Sequence, residues 1–367
     1  MKAIVIGAGV VGSAVAFRMA EAGAETVLIE GDRVGGGTSG TSFAWTNANN
    51  KPPRPYHDLN VAGMKAHAAL AEEFGDTPWY HRSGSIEWRH SAEDRAAHKA
   101  KVERLQSWDY PVEWISRKEL AALEPDIDLD RVGDAPISLC RQEGWLDPVV
   151  YADAMVKRAV AHGATLKAGS RVVDILTRNG GAYGVRTEDG AEYQADVVVN
   201  CAGRWADKVT QDPGLIPPLA PTVGFIVFTP PVATSISHLI HAPELHLRPD
   251  GAGRLMLREN QFDHQVTLDT EPSPKLPQSI EVMRRAATLI PALKKVKPEA
   301  ARITVRPIPR DGFSAVGPMP RVGNYYVVVT HSGVTLSPYL AHAVADEIVR
   351  NKTHAELADF RPSRFFN

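Results

Sequence analysis

Apolar positions change their period twice within the first thirty residues. Ala3 to Ile6 is a short continuous apolar run, Val10 to Ala22 carries apolar residues at helical spacing as far as Gly23, and Thr26 to Ile29 is a second short run closed by Glu30. The pattern predicts strand, turn, helix, strand. Residues 147–164 (DPVVYADAMVKRAVAHGA) repeat the helical period behind an Asp147-Pro148 start, a combination that opens a helix. Glycine turns at Asn179-Gly180-Gly181 and Asp189-Gly190 then punctuate strands, and the run from Asp196 to Asn200 reads as a buried strand ahead of Ala202-Gly203. A polar stretch rich in Lys, Arg and Glu, from about 91 to 123, reads as helical, and a last helix is expected from about Pro338. No internal repeat or low-complexity tract appears.

The turn between the first strand and helix holds Gly7, Gly9 and Gly12, the spacing G-x-G-x-x-G. Gly7 allows a tight turn, Gly9 lets a pyrophosphate approach the backbone, and Gly12 lets helix and strand pack closely. The phosphates would meet free N–H groups at the positive end of the helix, and Glu30 stands where an acid accepts from ribose hydroxyls. A purely structural strand-helix-strand unit is the alternative. A second glycine-rich segment, Gly35 to Asn50, favours FAD over NAD, because FAD is longer and a second loop would hold its pyrophosphate. Thr38, Ser39, Thr41 and Ser42 offer hydroxyls there, and Phe43, Ala44 and Trp45 follow in a way that a flexible linker does not. Val172 and Val173 sit where a strand edge would meet an adenine; both are equally plain strand valines.

The chain has 367 residues, enough for two domains or one large interleaved unit, with 44% hydrophobic and 23% charged residues. A net charge of −2 argues against a nucleic-acid surface. Cys140 and Cys201, the two cysteines, have no CxxC partner, so neither a disulfide framework nor a cysteine-rich metal site is expected; no metal is assigned. No apolar run approaches bilayer length. The opening MKAIVIGAGVVGSAVAF has the look of a signal peptide, but its glycine spacing accounts for it better, so the chain is expected to be unprocessed and cytoplasmic.

Taken together, VIGAGVVGSAVAFRMAEAGAETVLIE, GGGTSGTSFA, RSGSI, EGWLDPVVYADAMVKRAVAHGATL, ADVVVNCAGRWADKV, RPIPRDGFSAVGP and THSGVTLSPYLAHAVADEI resemble, in order and across nearly the whole chain, the D-amino-acid oxidase family of FAD-dependent oxidoreductases, which includes glycine oxidase, sarcosine oxidase and D-amino-acid dehydrogenases. Between about Pro221 and Pro298 the likeness rests on LHLRPDGAGRLML alone. The resemblance implies an α/β fold: a Rossmann-like FAD-binding domain (1–85, 145–219 and 304–367) and a discontinuous α+β substrate-binding domain on a mainly antiparallel sheet (86–144 and 220–303). The Pro-rich stretch DPGLIPPLAPTVG would mark a crossover between them. It implies FAD contacts at Gly7, Gly9, Val10, Val11, Gly12, Glu30, Gly31, Thr38, Thr41, Ser42 and Ala44, then at Val173, Ala202, Gly203 and Trp205. Gly333, Val334, Thr335 and Leu336 would aim backbone N–H groups at the flavin's N1–C2=O edge, where positive dipole stabilises the reduced anion. Thr330 stands where relatives often have glycine and would crowd the ring.

The segment RPIPRDGFSAVG raises a charge question, since Arg306 stands at the entrance to an apolar stretch. It reaches solvent, pairs internally (for instance with Asp311), or holds an anion from outside. The resemblance implies the last: Arg306 would grip the carboxylate of an amino-acid substrate. His331 would be the ionisable group nearest the flavin, as a catalytic residue or as a hydrogen-bonded structural histidine. Trp45, His246, Arg248 and Arg258 are candidate walls, each equally credible as packing or surface. Neither cysteine suits a covalent flavin link. The implied activity is oxidation of the C–N bond of an amino acid or secondary amine by hydride transfer, with oxygen or a quinone as electron acceptor. The alternatives are a flavin-bearing electron-transfer subunit that needs a partner, and a flavin monooxygenase, whose usual Gly-Asp motif is replaced here by THSGVTLSP. A homo-oligomer or partner subunit is compatible with all of these.

Overall fold

The computed structural model describes residues 1–215 and 218–366. Its opening follows the apolar period: strand Lys2–Ile6, helix Val10–Glu21, strand Glu25–Ile29. Gly7 has φ +93°, and a Cβ at Gly12 would lie 1.8 Å from the Gly7 carbonyl oxygen, so neither position admits another residue without moving the backbone. The two strands belong to a six-stranded sheet in the order Ala315–Pro318, Tyr325–Val329, Val197–Asn200, Lys2–Ile6, Glu25–Ile29, Thr165–Lys167. All its pairs are parallel except the first.

Alternation along Lys2–Ile6 sends its residues into two cores. Ala3 and Val5 pack beneath helices Val10–Glu21, Pro148–Ala161 and Gly333–Val349, while Ile4 and Ile6 join Val172, Val185 and Tyr325 on the opposite face. There lies a three-stranded antiparallel sheet, Val172–Arg178, Gly181–Thr187 and Glu192–Gln194, whose first turn places Asn179 and Gly180 at positive φ. Helix Pro148–Ala161 starts where Asp147 Oδ1 accepts from the N–H groups of Val149 and Val150, both at 3.2 Å.

The second large unit is an eight-stranded sheet: Ala300–Pro309, Leu219–Phe228, Leu255–Arg258, His246–Pro249, Leu239–His241, Ser85–Glu87, Ile137–Cys140, Glu113–Ile115. Its pairs are antiparallel apart from Leu239–His241 with Ser85–Glu87, and its apolar face is covered by helix Pro277–Leu289. The expected boundary at 304 falls inside one continuous strand, since all ten residues of Ala300–Pro309 pair with Leu219–Phe228. The polar stretch from 91 to 123 is two helices, Ala92–Ser107 and Arg117–Leu123, around the edge strand Glu113–Ile115. Pro111 and a positive φ at Asp109 stop the first helix, and Ile115 is drawn into the sheet opposite Ile137. Residues 216 and 217 of the Pro-rich crossover lie outside the described residues.

The last helix begins at Gly333, five residues before the expected Pro338. Proline lacks the N–H that would bond the carbonyl of Val334 four residues back, which ordinarily interrupts a helix. Here His67 Nε2 supplies that hydrogen bond at 2.8 Å from a neighbouring helix, Arg54–Phe74. The two helices approach closely at Gly63, where a Cβ would lie 2.5 Å from the Thr335 carbonyl oxygen. A partner contributed by tertiary packing thus lets the helix run through Pro338.

Candidate functional site

A cavity of about 670 Å³ lies between the glycine loops and the eight-stranded sheet. Glu30, Gly31, Arg171, Val172 and Val173 line one end. Glu30 already has work there: Oε2 accepts from Ala8 N at 2.7 Å and Oε1 from Asp32 N at 2.9 Å, so the side chain ties the first glycine turn to the strand end. Each oxygen retains a lone pair for a ribose hydroxyl.

Gly7, Gly9, Val10 and Val11 form the next part of the wall. Val10 N donates to Ser39 Oγ at 3.1 Å, and Gly9 provides no side-chain cap, leaving the start of the helix open to an anion. Gly12 lies behind, packed on Gly7, and acts through geometry rather than contact. Thr38, Thr41, Ser42 and Ala44 line the cavity from the second loop. Thr38 Oγ1 donates to the Val305 carbonyl at 2.8 Å, fastening this loop to the strand that carries Arg306. Trp205 sits over Gly37, where a Cβ would meet its ring at 2.8 Å, and Ala202 and Gly203 complete the middle.

Gly333, Val334 and Thr335 line the cavity with the first turn of the last helix, which Ser332 does not cap through its side chain. These uncapped N–H groups suit a polar flavin edge. Leu336 does not: it is fully buried in the helical core, and its N–H bonds Ser332. Thr330 lines the cavity as a wall, its hydroxyl engaged by Ser314 Oγ at 2.7 Å and Ser332 N at 3.0 Å. Both glycine loops and this helix start therefore converge on one elongated cavity, a fit for FAD made by cradles that a Cβ would fill and by helix ends left uncapped.

The far end carries the ionisable groups. Arg306 lines it, yet also forms an internal pair, with Asp263 rather than Asp311, which pairs with Arg364 instead. Asp263 Oδ2 meets Nη2 of both Arg306 and Arg258 (3.2 Å to the latter), while Oδ1 accepts from Phe225 N at 2.8 Å. Arg306 is thus paired internally and still faces the cavity, with Nε and Nη1 free of acceptors among the described residues. Among the described residues, Arg258 Nε is buried without a partner.

His331 also faces the cavity, and among the described residues its ring has no hydrogen-bond partner. Desolvation by the surrounding walls, then Lys51, Arg306 and Arg258, push its imidazole down to about 3, so it is neutral at neutral pH. His241 and His246 lie side by side, Nδ1 to Nδ1 at 2.8 Å, with the His241 ring 4.2 Å from that of Trp45. Burial holds both well below the usual histidine range. Arg248, in contrast, is buried outside the cavity, where it donates to the Phe43 carbonyl and packs over Trp145.

Two further residues were not marked by sequence. Lys51 lines the cavity, and burial lowers its amine to about 8 against a weaker opposing pull from Glu143. Glu143 is fully buried and accepts from Trp45 Nε1, Ala48 N, Asn49 N and Nδ2, Ser85 Oγ and Tyr110 OH. Burial pushes its carboxyl upward although these donors oppose the shift. It holds the loop that presents Trp45 and Lys51.

A family model, "FAD dependent oxidoreductase" (DAO), matches residues 2–347. The chain is 24% identical to the glycine oxidase of Bacillus licheniformis over 361 residues, 96% of this chain and 94% of that protein. The solved glycine oxidase of Geobacillus kaustophilus superposes with a TM-score of 0.84 at 24% identity, covering 99% of this chain and 98% of the other. The L-proline dehydrogenase of P. horikoshii superposes with a TM-score of 0.85 at 22% identity, covering 100% and 97%. Both structures share the fold. Among the described residues, no helix is long and apolar enough to cross a membrane.

Proposed function

The chain belongs to the FAD-dependent oxidoreductase family, and from that premise we propose that it oxidises the C–N bond of an amino acid or related secondary amine. When bound, FAD supplies a two-electron hydride acceptor, so that the amine becomes an imine, which water hydrolyses to a carbonyl compound and the released amine or ammonia. Oxygen or a quinone would then take the electrons.

The observation that carries this reading is Arg306, a cation 19% exposed at the far end of the cavity with two nitrogens uncommitted. A guanidinium fork suits a carboxylate, and gripping it would place the substrate's α-carbon for transfer, the positioning on which such a reaction depends. Asp263 would orient the fork from behind. The cations around His331 would favour loss of the substrate's ammonium proton, and the neutral amine is the form that can release hydride. No general base is required, and His331, held near pKa 3, would act as a neutral wall. At the other end, Gly9 and Val10 would receive the pyrophosphate and Glu30 the ribose, while Gly333, Val334 and Thr335 would hold the flavin's polar edge.

Anaerobic mixing of the yellow holoprotein with D-, L- and N-methyl amino acids tests the proposal. Bleaching of the flavin by at least one carboxylate-bearing amine, and not by matched alcohols, is the expected result. A flavin that no amine reduces would overturn it.

A further inference from the structure

Lys51 enters the cavity from a loop that is fixed on its other side. Glu143 holds that loop: Oε1 accepts from Ala48 N, Asn49 N and Tyr110 OH, and Oε2 from Trp45 Nε1, Asn49 Nδ2 and Ser85 Oγ. A carboxylate has about four lone-pair sites, so six donors fill it, and Glu143 attracts the Lys51 ammonium through space without a hydrogen bond to it. Asn47 N donates to Thr335 Oγ1 at 3.2 Å, which ties the same loop to the start of the last helix. Among the described residues, Lys51 Nζ has no hydrogen-bond or ion-pair partner, and it lies 5.9 Å from the centre of the Tyr56 ring. Its charge bears on the His331 imidazole ahead of those of Arg306 and Arg258, which sets the amine at the end of the cavity where a carboxylate would be held.

A primary amine in a desolvated wall is a nucleophile as well as a charge. Burial lowers this one to about 8 although Glu143 opposes the shift. At pH 7 roughly a tenth of such an amine is free base, against about 1 in 2,500 for an ordinary lysine. Oxidation of a C–N bond, the reading proposed above on which this inference rests, leaves an electrophilic carbonyl compound in the same cavity. We propose that Lys51 is a covalent site for that product and captures its carbonyl carbon as a Schiff base. The nitrogen lone pair forms the new C–N bond, while the carbonyl π pair moves to oxygen and takes a proton. The carbinolamine then loses water as C=N forms. One water leaves, nothing is oxidised or reduced, and hydrolysis reverses the step. Arg306 would keep the product's carboxylate within reach, so that release is delayed when the carbonyl compound accumulates.

The probe is glyoxylate, added with cyanoborohydride to the FAD-loaded protein at pH 7, and peptide mass spectrometry reads where a carboxymethyl group is fixed. Lys51 should be modified at least ten-fold faster than any other lysine, and excess acetate, competing for the same end of the cavity, should slow it. Lys51→Arg keeps the charge but offers no amine that forms a Schiff base. It should lose the slow-onset part of inhibition by glyoxylate and retain inhibition by acetate, a split that a role in charge alone does not produce. Labelling spread evenly over the lysines, or slow-onset inhibition that survives in Lys51→Arg, would overturn the inference; amine oxidation then stands if an amine still bleaches the flavin. Lys51 marked by glyoxylate in a protein whose flavin no amine reduces would support the covalent site and remove amine oxidation as its source of carbonyl.

Discussion

The guanidinium of Arg306 lies across the backbone of Gly224: a Cβ at that position would sit 2.8 Å from Nη2 and 3.1 Å from Nε. Gly224 is in the neighbouring strand, opposite Thr304, and a glycine in mid-strand is the one residue that leaves room for this side chain. Gly224→Ala should displace the fork by several tenths of an ångström. The clash is with the far end of a flexible side chain, so stability should change by less than about 1 kcal/mol. Efficiency on a carboxylate substrate should fall by about 10- to 100-fold, because positional error in a reacting complex is costly. An amine lacking a carboxylate should be turned over as before. Equal losses on both substrates would mean that Gly224 shapes the cavity without steering Arg306.

The glycine turns, the first helix and the two glycine-rich loops that line the cavity were legible in sequence because each is set by local period and backbone geometry. What remained hidden depends on which strands lie side by side. Asp263 is 43 residues from Arg306, in a short turn that sequence gives no reason to pair with it, whereas Asp311, nearer in the chain, is taken by Arg364. Lys51 and Glu143 carry no local signal in the sequence; only the fold encloses them. Leu336 follows the cavity-lining turn in sequence, but helical rotation carries it into the core. The glycine at 224 was a readable signal, since an isolated glycine within an apolar strand announces a close approach.

Glu30 fixes the first glycine turn through Ala8 N and Asp32 N as well as facing the cavity. Glu30→Ala should therefore weaken FAD by about 1.5–3 kcal/mol, roughly 10- to 150-fold, by losing charge-assisted bonds on both sides. Gly9→Val should abolish retention, since a Cβ there lies 3.0 Å from Ser39 Oγ and the larger side chain enters the space of the pyrophosphate. Titration of the apoprotein with FAD reads both. Unchanged affinity in Glu30→Ala, or a yellow, folded Gly9→Val, would contradict this account of the loop.

Acid should destabilise the protein well above the carboxylate range. Burial pushes His67 and His98 each down to about 4. Between about pH 6.5 and pH 4 the unfolded chain takes up protons that the folded chain refuses, so stability falls as pH falls, by up to about 3 kcal/mol for each histidine. His57 and His81 shift in the same direction. Glu143 and Asp250, both raised by burial, oppose them, and Asp346, held near 2, contributes only below its unfolded value of about 3.9. Denaturant midpoints across this range should decline steadily. His67→Gln retains an N–H for the Val334 carbonyl and removes the titration, so its profile should be flatter; an unchanged slope would exclude His67 as a source.

Arg306 and Asp263 can be separated by charge. Arg306→Ala removes the fork that would hold the carboxylate, and losing one member of a largely desolvated pair corresponds to about 3–5 kcal/mol, or 10²- to 10⁴-fold in kcat/KM. Its effect on stability should be smaller, because Asp263 keeps Arg258 and the Phe225 N–H as partners. Arg306→Lys should recover little, since a point charge cannot reproduce a planar fork. Asp263→Asn should behave differently. Its amide oxygen can still accept from Phe225 N, but the negative charge between the two arginines is gone. Carboxylate inhibitors should then bind more tightly, in a site that has become more cationic, while the limiting rate of flavin reduction falls because nothing fixes the orientation of Arg306. Tighter anion binding with slower reduction is a split that simple loss of folding does not produce. If Asp263→Asn weakens anion binding and slows reduction in parallel, Asp263 serves the cavity wall as a whole, and its role in aiming Arg306 is wrong.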